Sequence, residues 1–476
     1  MDEPQGHEPQ LLIERCRLVA CFDDARRELE HTDLLLRGGR IARIGTNLRD
    51  SERLAADIPC LDGRGMLALP GLVNCHHHMF QVLTRVWPRV QDAGLFEWLV
   101  EQYEVWTGLT GKDALRAATQ IAMAELLLTG CTTTTDHHYL FPVAAPVDLI
   151  DEQLATAREM GIRFYPTRGS MTLGVRDGGL PPMALVEADE RVLTDYERLV
   201  AAYHDPSPQA MTRIAFAPCS PFNVTEHLFR ETAVLARKHG VRLHTHLAET
   251  DDEDRYCLER YGCRPLDFVA KLGWEGSDIW FAHCVKLNEN EMERCARLGM
   301  AVAHCPSSNA RLGSGTAPVP AMLAAGMTVG LGVDCSASND SGDMVGEARQ
   351  ALMAHRAVGG PAAVTARQVL ELATRGGAAV LGNPALGRLQ EGGPADVVLF
   401  DMDQVGYAGG ASLDPLAALV LCGIGHRVAW SIVAGRIVVE RGQLAGRSEK
   451  ALVAACNRAT EQLFEAARAG GRLRGA

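Results

Sequence analysis

Three consecutive histidines close an apolar run, LPGLVNCHHHMF, at residues 69–80. In an extended segment side chains alternate, so His76 and His78 share one face and His77 takes the other. Two imidazoles on one face are half of a metal site, and alone they are just as well a pair of core histidines. Further segments supply groups of the matching kinds: His246 and Glu249 in RLHTHLAE, His283 in IWFAHC and Asp334 in VGLGVDCSAS. Imidazole nitrogen and carboxylate oxygen suit zinc and iron(II) alike, and a catalytic site keeps one position open for water. His76, His78, His246 and Asp334 are therefore the expected ligands of one divalent ion, zinc first and iron(II) as the alternative. His283 is expected to orient the attacking water, and Glu249 to reach a substrate atom. Singly, each residue has an ordinary explanation: a satisfied core histidine, a helix-capping aspartate, a solvated loop glutamate. Jointly, those explanations must account for ionisable groups at the ends of several apolar runs at once.

The elements that must gather them follow a regular plan. Eight strand-like runs alternate with amphipathic helical stretches: LPGLVNCHHH, CTTTTDHH, IRFYPTRGS, RIAFAPCSP, RLHTHLAE, IWFAHC, AVAHCPSSN and VGLGVDCSAS. Such alternation predicts a parallel α/β fold, and eight units predict a (β/α)8 barrel. Nearly every run is apolar first and polar last, which suits a barrel whose active site lies at the C-terminal ends of its strands. The two ends of the chain read differently. Residues 11–66 hold alternating runs with a hairpin signal at Gly38-Gly39, and residues 395–444 repeat the pattern around Gly435. Neither segment has enough strands alone, so a composite β-sandwich of 1–66 with 387–445 is expected around a barrel of 67–386. The stretch 446–476 has helical spacing and is expected to pack on the body.

Composition narrows the class. The 476 residues are 47% apolar and carry a formal net charge of −12, which argues against nucleic acid or an anionic membrane as partner. No apolar run reaches the roughly 18 residues of a membrane span. The polar, acidic start reads as neither a secretory signal nor a transit peptide. Fourteen cysteines sit singly within apolar runs, which fits free thiols in a reducing cytoplasm. No HExxH occurs, and no HxE followed by PCxxC, so the cysteine-ligated zinc deaminase pattern is absent.

Taken as a set, HHH read as HxH, HLAE, FAHC and GVDCSASN resemble the amidohydrolase superfamily, in its mononuclear deaminase branch. GRLQEGGPADVVLFD resembles the segment that follows the barrel in that family. The resemblance implies hydrolytic deamination in which Asp334 accepts a proton from water, His283 orients that water, and Glu249 protonates a ring nitrogen. Binuclear members bridge two metals through a lysine on the fourth strand; here no lysine lies between Lys112 and Lys238, so one ion is expected. The same absence weighs against ring-amide hydrolysis of the hydantoin or dihydroorotate kind.

The substrate expectation is a small aminated heterocycle. GCTTTTDHHYLFP and TRGSMTLG resemble bacterial 8-oxoguanine deaminases within the family, which implies conversion of 8-oxoguanine to urate and ammonia. Isocytosine, isoxanthopterin and hydroxy-s-triazines are the alternatives. Arg168, Gln91, His137 and Asn309 are the expected substrate-binding residues, Arg168 because its planar fork suits a purine oxygen. The segment 86–106 offers aromatic and apolar side chains for a lid over a flat ring. Cys335, where the family usually has glycine, is expected either to narrow the pocket or to be oxidised near the metal, and it bears on the choice of substrate rather than on the ligands. A homodimer is the usual state of such relatives.

Overall fold

The computed structural model describes residues 9–146, 148–422 and 425–473. Its centre is a closed parallel barrel of eight strands: β1 (Leu72–Asn74), β2 (Cys131–Thr134), β3 (Thr167–Ser170, entered through Arg163–Phe164), β4 (Ala215–Pro218), β5 (Arg242–Leu247), β6 (Ile279–His283), β7 (Ala301–His304) and β8 (Thr328–Leu331). Parallel pairing runs from β1 through β2, β3 and onward to β8. The ring closes where Asp334–Cys335, just past β8, pairs with His77–His78, just past β1. Backbone bonds from Cys75 N to Leu331 O and from Asp334 N to His76 O, at 2.9 and 3.0 Å, complete the seam. The barrel expected from the eight sequence runs is thus the one observed. Closure is also what carries Asp334 next to the histidines that precede it by some 260 residues.

Amphipathic helices cover the strands, and their ends are marked by local chemistry. Helix Glu289–Leu298 starts at a reciprocal cap between Asn288 and Glu291 and stops at Gly299, whose φ is +72°. Helix Glu226–His239 starts on the Thr225 hydroxyl and stops at Gly240, φ +67°.

The two ends of the chain build one continuous sheet of nine strands rather than two separate sheets. Its path runs from Gln443–Leu444 through Arg436–Glu440, Trp430–Val433, Val397–Asp401, Met66–Pro70, Gln10–Ala20 and Glu28–Arg37 to Arg40–Gly45, with the ninth strand, Cys60–Asp62, paired to Gln10–Ala20 off that path. The sheet folds over so that its two hairpin turns meet: a Cβ on Gly39 would lie 3.1 Å from the Ala434 carbonyl oxygen. Ile13, Val19, Leu34, Ile41, Val397, Leu399 and Ile432 fill the enclosed space. This is how a single sheet yields the two facing layers expected of a sandwich. The boundary with the barrel also moves, because Met66–Pro70 pairs with Val397–Asp401 and belongs to this sheet. The chain passes from one sheet to the other at Gly71, where a Cβ would come within 1.9 Å of the Thr132 hydroxyl oxygen. Helix Glu449–Ala469 packs its buried Cys456, Ala459 and Leu463 on the body. All fourteen cysteines are free. No helix among the described residues is long and apolar enough to cross a membrane.

Candidate active site

The polar ends of the barrel strands converge on one mouth. His76 Nε2 lies 3.2 Å and His78 Nε2 3.4 Å from the same Asp334 carboxylate oxygen. His78 Nε2 and His246 Nε2 are 3.1 Å apart. The bonds behind these rings fix which nitrogens carry protons. His78 Nδ1 donates to the His137 carbonyl oxygen at 2.8 Å, and His246 Nδ1 to that of Cys219 at 2.7 Å. His76 is set through a relay: His244 Nδ1 donates to the Trp280 carbonyl, so His244 Nε2 accepts from His76 Nδ1 at 2.8 Å. Every inward Nε2 is therefore a bare lone pair. Burial, reinforced by the neighbouring imidazoles, pushes His76 and His78 well below the ordinary histidine range and His246 down to about 4, so all three are neutral.

Three lone pairs and a buried carboxylate crowded together repel unless a cation lies among them. His76 Nε2 is fully buried and has no hydrogen-bond partner. A nitrogen-rich set with one carboxylate oxygen suits zinc or iron(II), so the residues fit a divalent ion. The backbone is strained at this place. Asp334 has φ +58°, His283 +70° and Ala248 +51°, all in the left-handed region that costs non-glycine residues of the order of 1–3 kcal/mol each.

The acid–base groups line the same cavity. His283 Nδ1 donates to Asn309 Oδ1 at 2.9 Å, leaving Nε2 3.5 Å from Glu249 Oε2 and 3.9 Å from Asp334 Oδ2. Burial lowers the affinity of His283 for its proton, but the two carboxylates outweigh it and the ring's pKa is raised. Glu249 is held by a second glutamate: Glu253 accepts from the Ala248 and Glu249 backbone nitrogens at 3.0 and 2.8 Å. Burial pushes Glu249 up to about 7, and its Oε1 has no partner. Burial would also raise Asp334, but His283 and His78 facing it hold its pKa below the usual carboxylate value. The Ser338 hydroxyl donates to Asp334 Oδ2 at 3.4 Å and contacts the Cys335 thiol at 2.7 Å.

Empty space in the cavity, the open solvent at its mouth included, amounts to about 390 Å³. Leu95, Trp98, Leu99, Phe222 and Leu312 form apolar walls, while Gln81, Ser220 and Asn223 add polar groups beside the metal-ligand candidates. Leu95, Trp98 and Leu99 come from the segment expected to form a lid. Cys335 lines the cavity, as its position after Asp334 implies.

The expected substrate-binding residues fare differently. Arg168 does not face the cavity: it is buried in ion pairs with Glu187 at 2.7 Å and Asp195 at 2.9 Å, its guanidinium over the Phe141 ring. Two carboxylates consume the donor fork that would have read a purine oxygen. Gln91 is exposed outside the cavity, donating to the Val86 carbonyl oxygen at 2.9 Å. Asn309 stands behind His283 rather than in the cavity wall. His137 lies among the ligand histidines, with its Nε2 2.9 Å from the Ala217 carbonyl oxygen. His304 is buried beside His355, with ring centroids 5.0 Å apart. Gln81, Ser220 and Asn223 carried no sequence signal beyond their place near β1 and β4.

A barrel that gathers imidazoles and carboxylates at its C-terminal mouth defines a metal-dependent hydrolase architecture. The chain belongs to the amidohydrolase family, whose pattern it matches over residues 67–438. It is 46% identical to 8-oxoguanine deaminase of Pseudomonas aeruginosa across 85% of this chain and 90% of that protein. It is 36% identical to hydroxydechloroatrazine ethylaminohydrolase of Pseudomonas sp. strain ADP, across 91% and 92% of the two chains. Atrazine chlorohydrolase of Arthrobacter aurescens TC1, solved in complex with zinc, superposes with a TM-score of 0.89 at 36% identity, covering 94% of this chain and all of that one.

Proposed function

We propose that this protein is a metal-dependent hydrolytic deaminase of an aminated purine-like ring, with 8-oxoguanine and water as substrates and urate and ammonia as products. The observation that carries the reading is Glu249: a buried carboxyl with one free oxygen, its proton affinity raised by burial, beside a cluster of inward-facing imidazoles, in a cavity with apolar and aromatic walls. The 46% identity to an 8-oxoguanine deaminase supports the choice of ring.

His76, His78, His246 and Asp334 would hold a single divalent ion, proposed to be zinc, which would supply Lewis-acid activation of water. Zinc is supported by its presence in the related chlorohydrolase structure. Asp334, ionised because its pKa is depressed, accepts a proton from the attacking water through Oδ2, the oxygen on the His283 side. His283 Nε2, poised between Glu249 and Asp334, orients that water. Glu249 gives its proton to the ring nitrogen next to the attacked carbon, which relieves the charge left when ring conjugation breaks. Asp334 then passes the water proton to the exocyclic amine, the C–N bond breaks and ammonia departs, and as the ring carbonyl forms the hydroxyl proton returns to Glu249. Asn309 acts as a positioning residue for His283 in this scheme. The deciding experiment is an ammonia-release screen over 8-oxoguanine, guanine, isocytosine, isoxanthopterin, cytosine and hydroxy-triazines. The expected result is highest kcat/KM on 8-oxoguanine. Turnover of the triazines alone would move the reading to the second substrate class, which the 36% relative favours.

A further inference from the structure

The other end of the barrel carries a second cavity that the proposed chemistry does not use. It is a groove at the N-terminal ends of β4, β5 and β6, with about 1380 Å³ of empty space, open solvent included. Arg213, Arg237, Arg242 and His204 line it beside Glu275 and Asp278. Both acids are engaged elsewhere: Asp278 pairs with Arg237 at 3.2 Å, and Glu275 with Arg294 at 2.8 Å. Asp205, next to His204, accepts from the Ser207 backbone nitrogen and hydroxyl at 2.8 and 3.0 Å. Arg213 and Arg242 are left without an ion pair among the described residues, and main-chain carbonyls hold them instead. Arg213 donates to the Gly382 carbonyl at 2.8 Å and to those of Pro206 and Ser207 at 2.9 and 2.8 Å. Arg242 donates through one terminal nitrogen to the Ser277 carbonyl at 2.9 Å; its other terminal nitrogen bonds to nothing among the described residues.

Carbonyls fix a guanidinium in place but bring no counter-charge. The two cations are neighbours all the same, because Gly382 adjoins both: its carbonyl takes Arg213, and a Cβ on it would come 2.7 Å from Arg242 Cδ. The Nε of each is buried without a partner. Burial pushes Arg242 down to about 10, and the Arg213 charge adds to this against the pull of Asp278. On a chain with a net charge of −12, a held pair of like charges with no acid between them is a cost that an anion would relieve. His204 adds a neutral donor, since its Nδ1 accepts from the Ile214 backbone nitrogen at 3.1 Å and Nε2 must carry the proton. A carboxylate fills one planar fork. A phosphate brings three acceptor oxygens and up to two charges, enough for two guanidiniums and an imidazole N–H.

We propose that this groove is a phosphate site, in which Arg213 and Arg242 share one phosphate group, free or as the monoester end of a nucleotide. The inference stands apart from the deaminase reading and from the metal set, which lie at the opposite ends of the strands.

Titration calorimetry on the purified full-length protein tests it, at low ionic strength where screening is weak. Inorganic phosphate, adenosine 5′-monophosphate and acetate are the three probes. Phosphate and the nucleotide are expected to bind saturably, one per chain, at least about tenfold more tightly than acetate. Tighter binding of the nucleotide than of phosphate identifies the ester as the occupant; equal binding identifies the free anion. Arg242→Gln is expected to weaken phosphate binding by about tenfold or more while kcat/KM for ammonia release stays at the wild-type value. Phosphate binding unchanged in that variant overturns the proposal. Two results on the wild type overturn it whatever the variant does, so a misfolded variant cannot shield it. One is no saturable phosphate binding below about 10 mM, or acetate bound as tightly as phosphate. The other is competition between phosphate and the substrate at the calorimetric Kd, which places the anion at the metal mouth instead.

Discussion

Two buried polar clusters at opposite ends of the barrel treat charge in opposite ways. Where β3 begins, Arg163 is fully buried and fully engaged. Its Nε and one terminal nitrogen donate to the two Asp396 oxygens at 2.6 and 3.0 Å, and the other to the Gln209 and Ala210 carbonyls. Asp396 also accepts the Ala434 backbone nitrogen at 2.7 Å, so the pair ties the barrel to the terminal sheet. At the mouth, by contrast, His76 Nε2, His137 Nδ1, Glu249 Oε1 and the amide nitrogen of Asn309 are buried without partners. Left-handed backbone at Ala248, His283 and Asp334 adds strain at that end. A cluster that closes on itself serves the fold. A cluster left open under strain is shaped for something to be bound.

Breaking the open cluster should abolish chemistry and spare the fold. Glu249→Gln is expected to keep its metal content while turnover falls on the order of 10²–10⁴-fold, the usual range for losing a positioned proton donor. Ammonia release and metal analysis on one preparation check both halves, and near-normal turnover would place the proton shuttle on another residue. Breaking the closed cluster should do the reverse. Arg163→Met strands a buried carboxylate and is expected to cost about 3–5 kcal/mol in urea melts. The kcat of the folded fraction should stay within about twofold. Adding Asp396→Asn, which keeps an acceptor for Ala434, should return most of the loss. If Arg163→Met instead lowered kcat at full stability, the two ends of the barrel would not be separable in this way.

Arg168 sharpens the contrast, because sequence assigned it to the open cluster and the structure puts it in a closed one. Arg168→Met leaves Glu187 with Arg191 alone, at 3.7 Å, and Asp195 with Arg198 alone, at 2.8 Å, so it is expected to lower stability by up to about 3 kcal/mol with KM for the substrate unchanged. A raised KM at intact stability would return it to the substrate.

These cases show what a sequence can carry. That His76, His78, His246, His283 and Asp334 would meet at one mouth was legible, because metal-ligating types recur at the polar ends of apolar runs and a barrel brings such ends together. Arg168 and Gln91 were not, because residue type reveals donor capacity but never which acceptor takes it. The partners of Arg168 lie 19 and 27 residues away, on segments with no feature to flag them. The run MLALPGLVN hid a change of sheet for a related reason: both halves are apolar, and only the crowding of Gly71 against Thr132 marks the pivot. The raised proton affinity of Glu249 comes from burial, against the opposing pull of His283, and a sequence lists neither. The left-handed φ at Asp334 has no glycine to announce it.

The smallest effect concerns pH, and it separates the two roles of buried carboxyls. Glu347, which accepts from Asn339 Nδ2 at 2.6 Å and the Ser307 nitrogen at 3.3 Å, is pushed by burial to about 8. Its folded value lies above the unfolded one, so between about pH 4.5 and 8 the folded state binds more protons. Its contribution therefore weakens stability as pH rises through that window. Glu347→Gln should flatten the slope of unfolding free energy against pH; a slope identical to wild type would mean that the carboxyl is ionised throughout. Glu249, raised to about 7, acts on rate instead: its proton is the reagent, so log kcat/KM should fall with unit slope as pH rises above about 7. In Glu347→Gln that limb should stay where it is while the stability slope changes. One buried carboxyl would then be read in melts and the other in turnover, each without disturbing its counterpart.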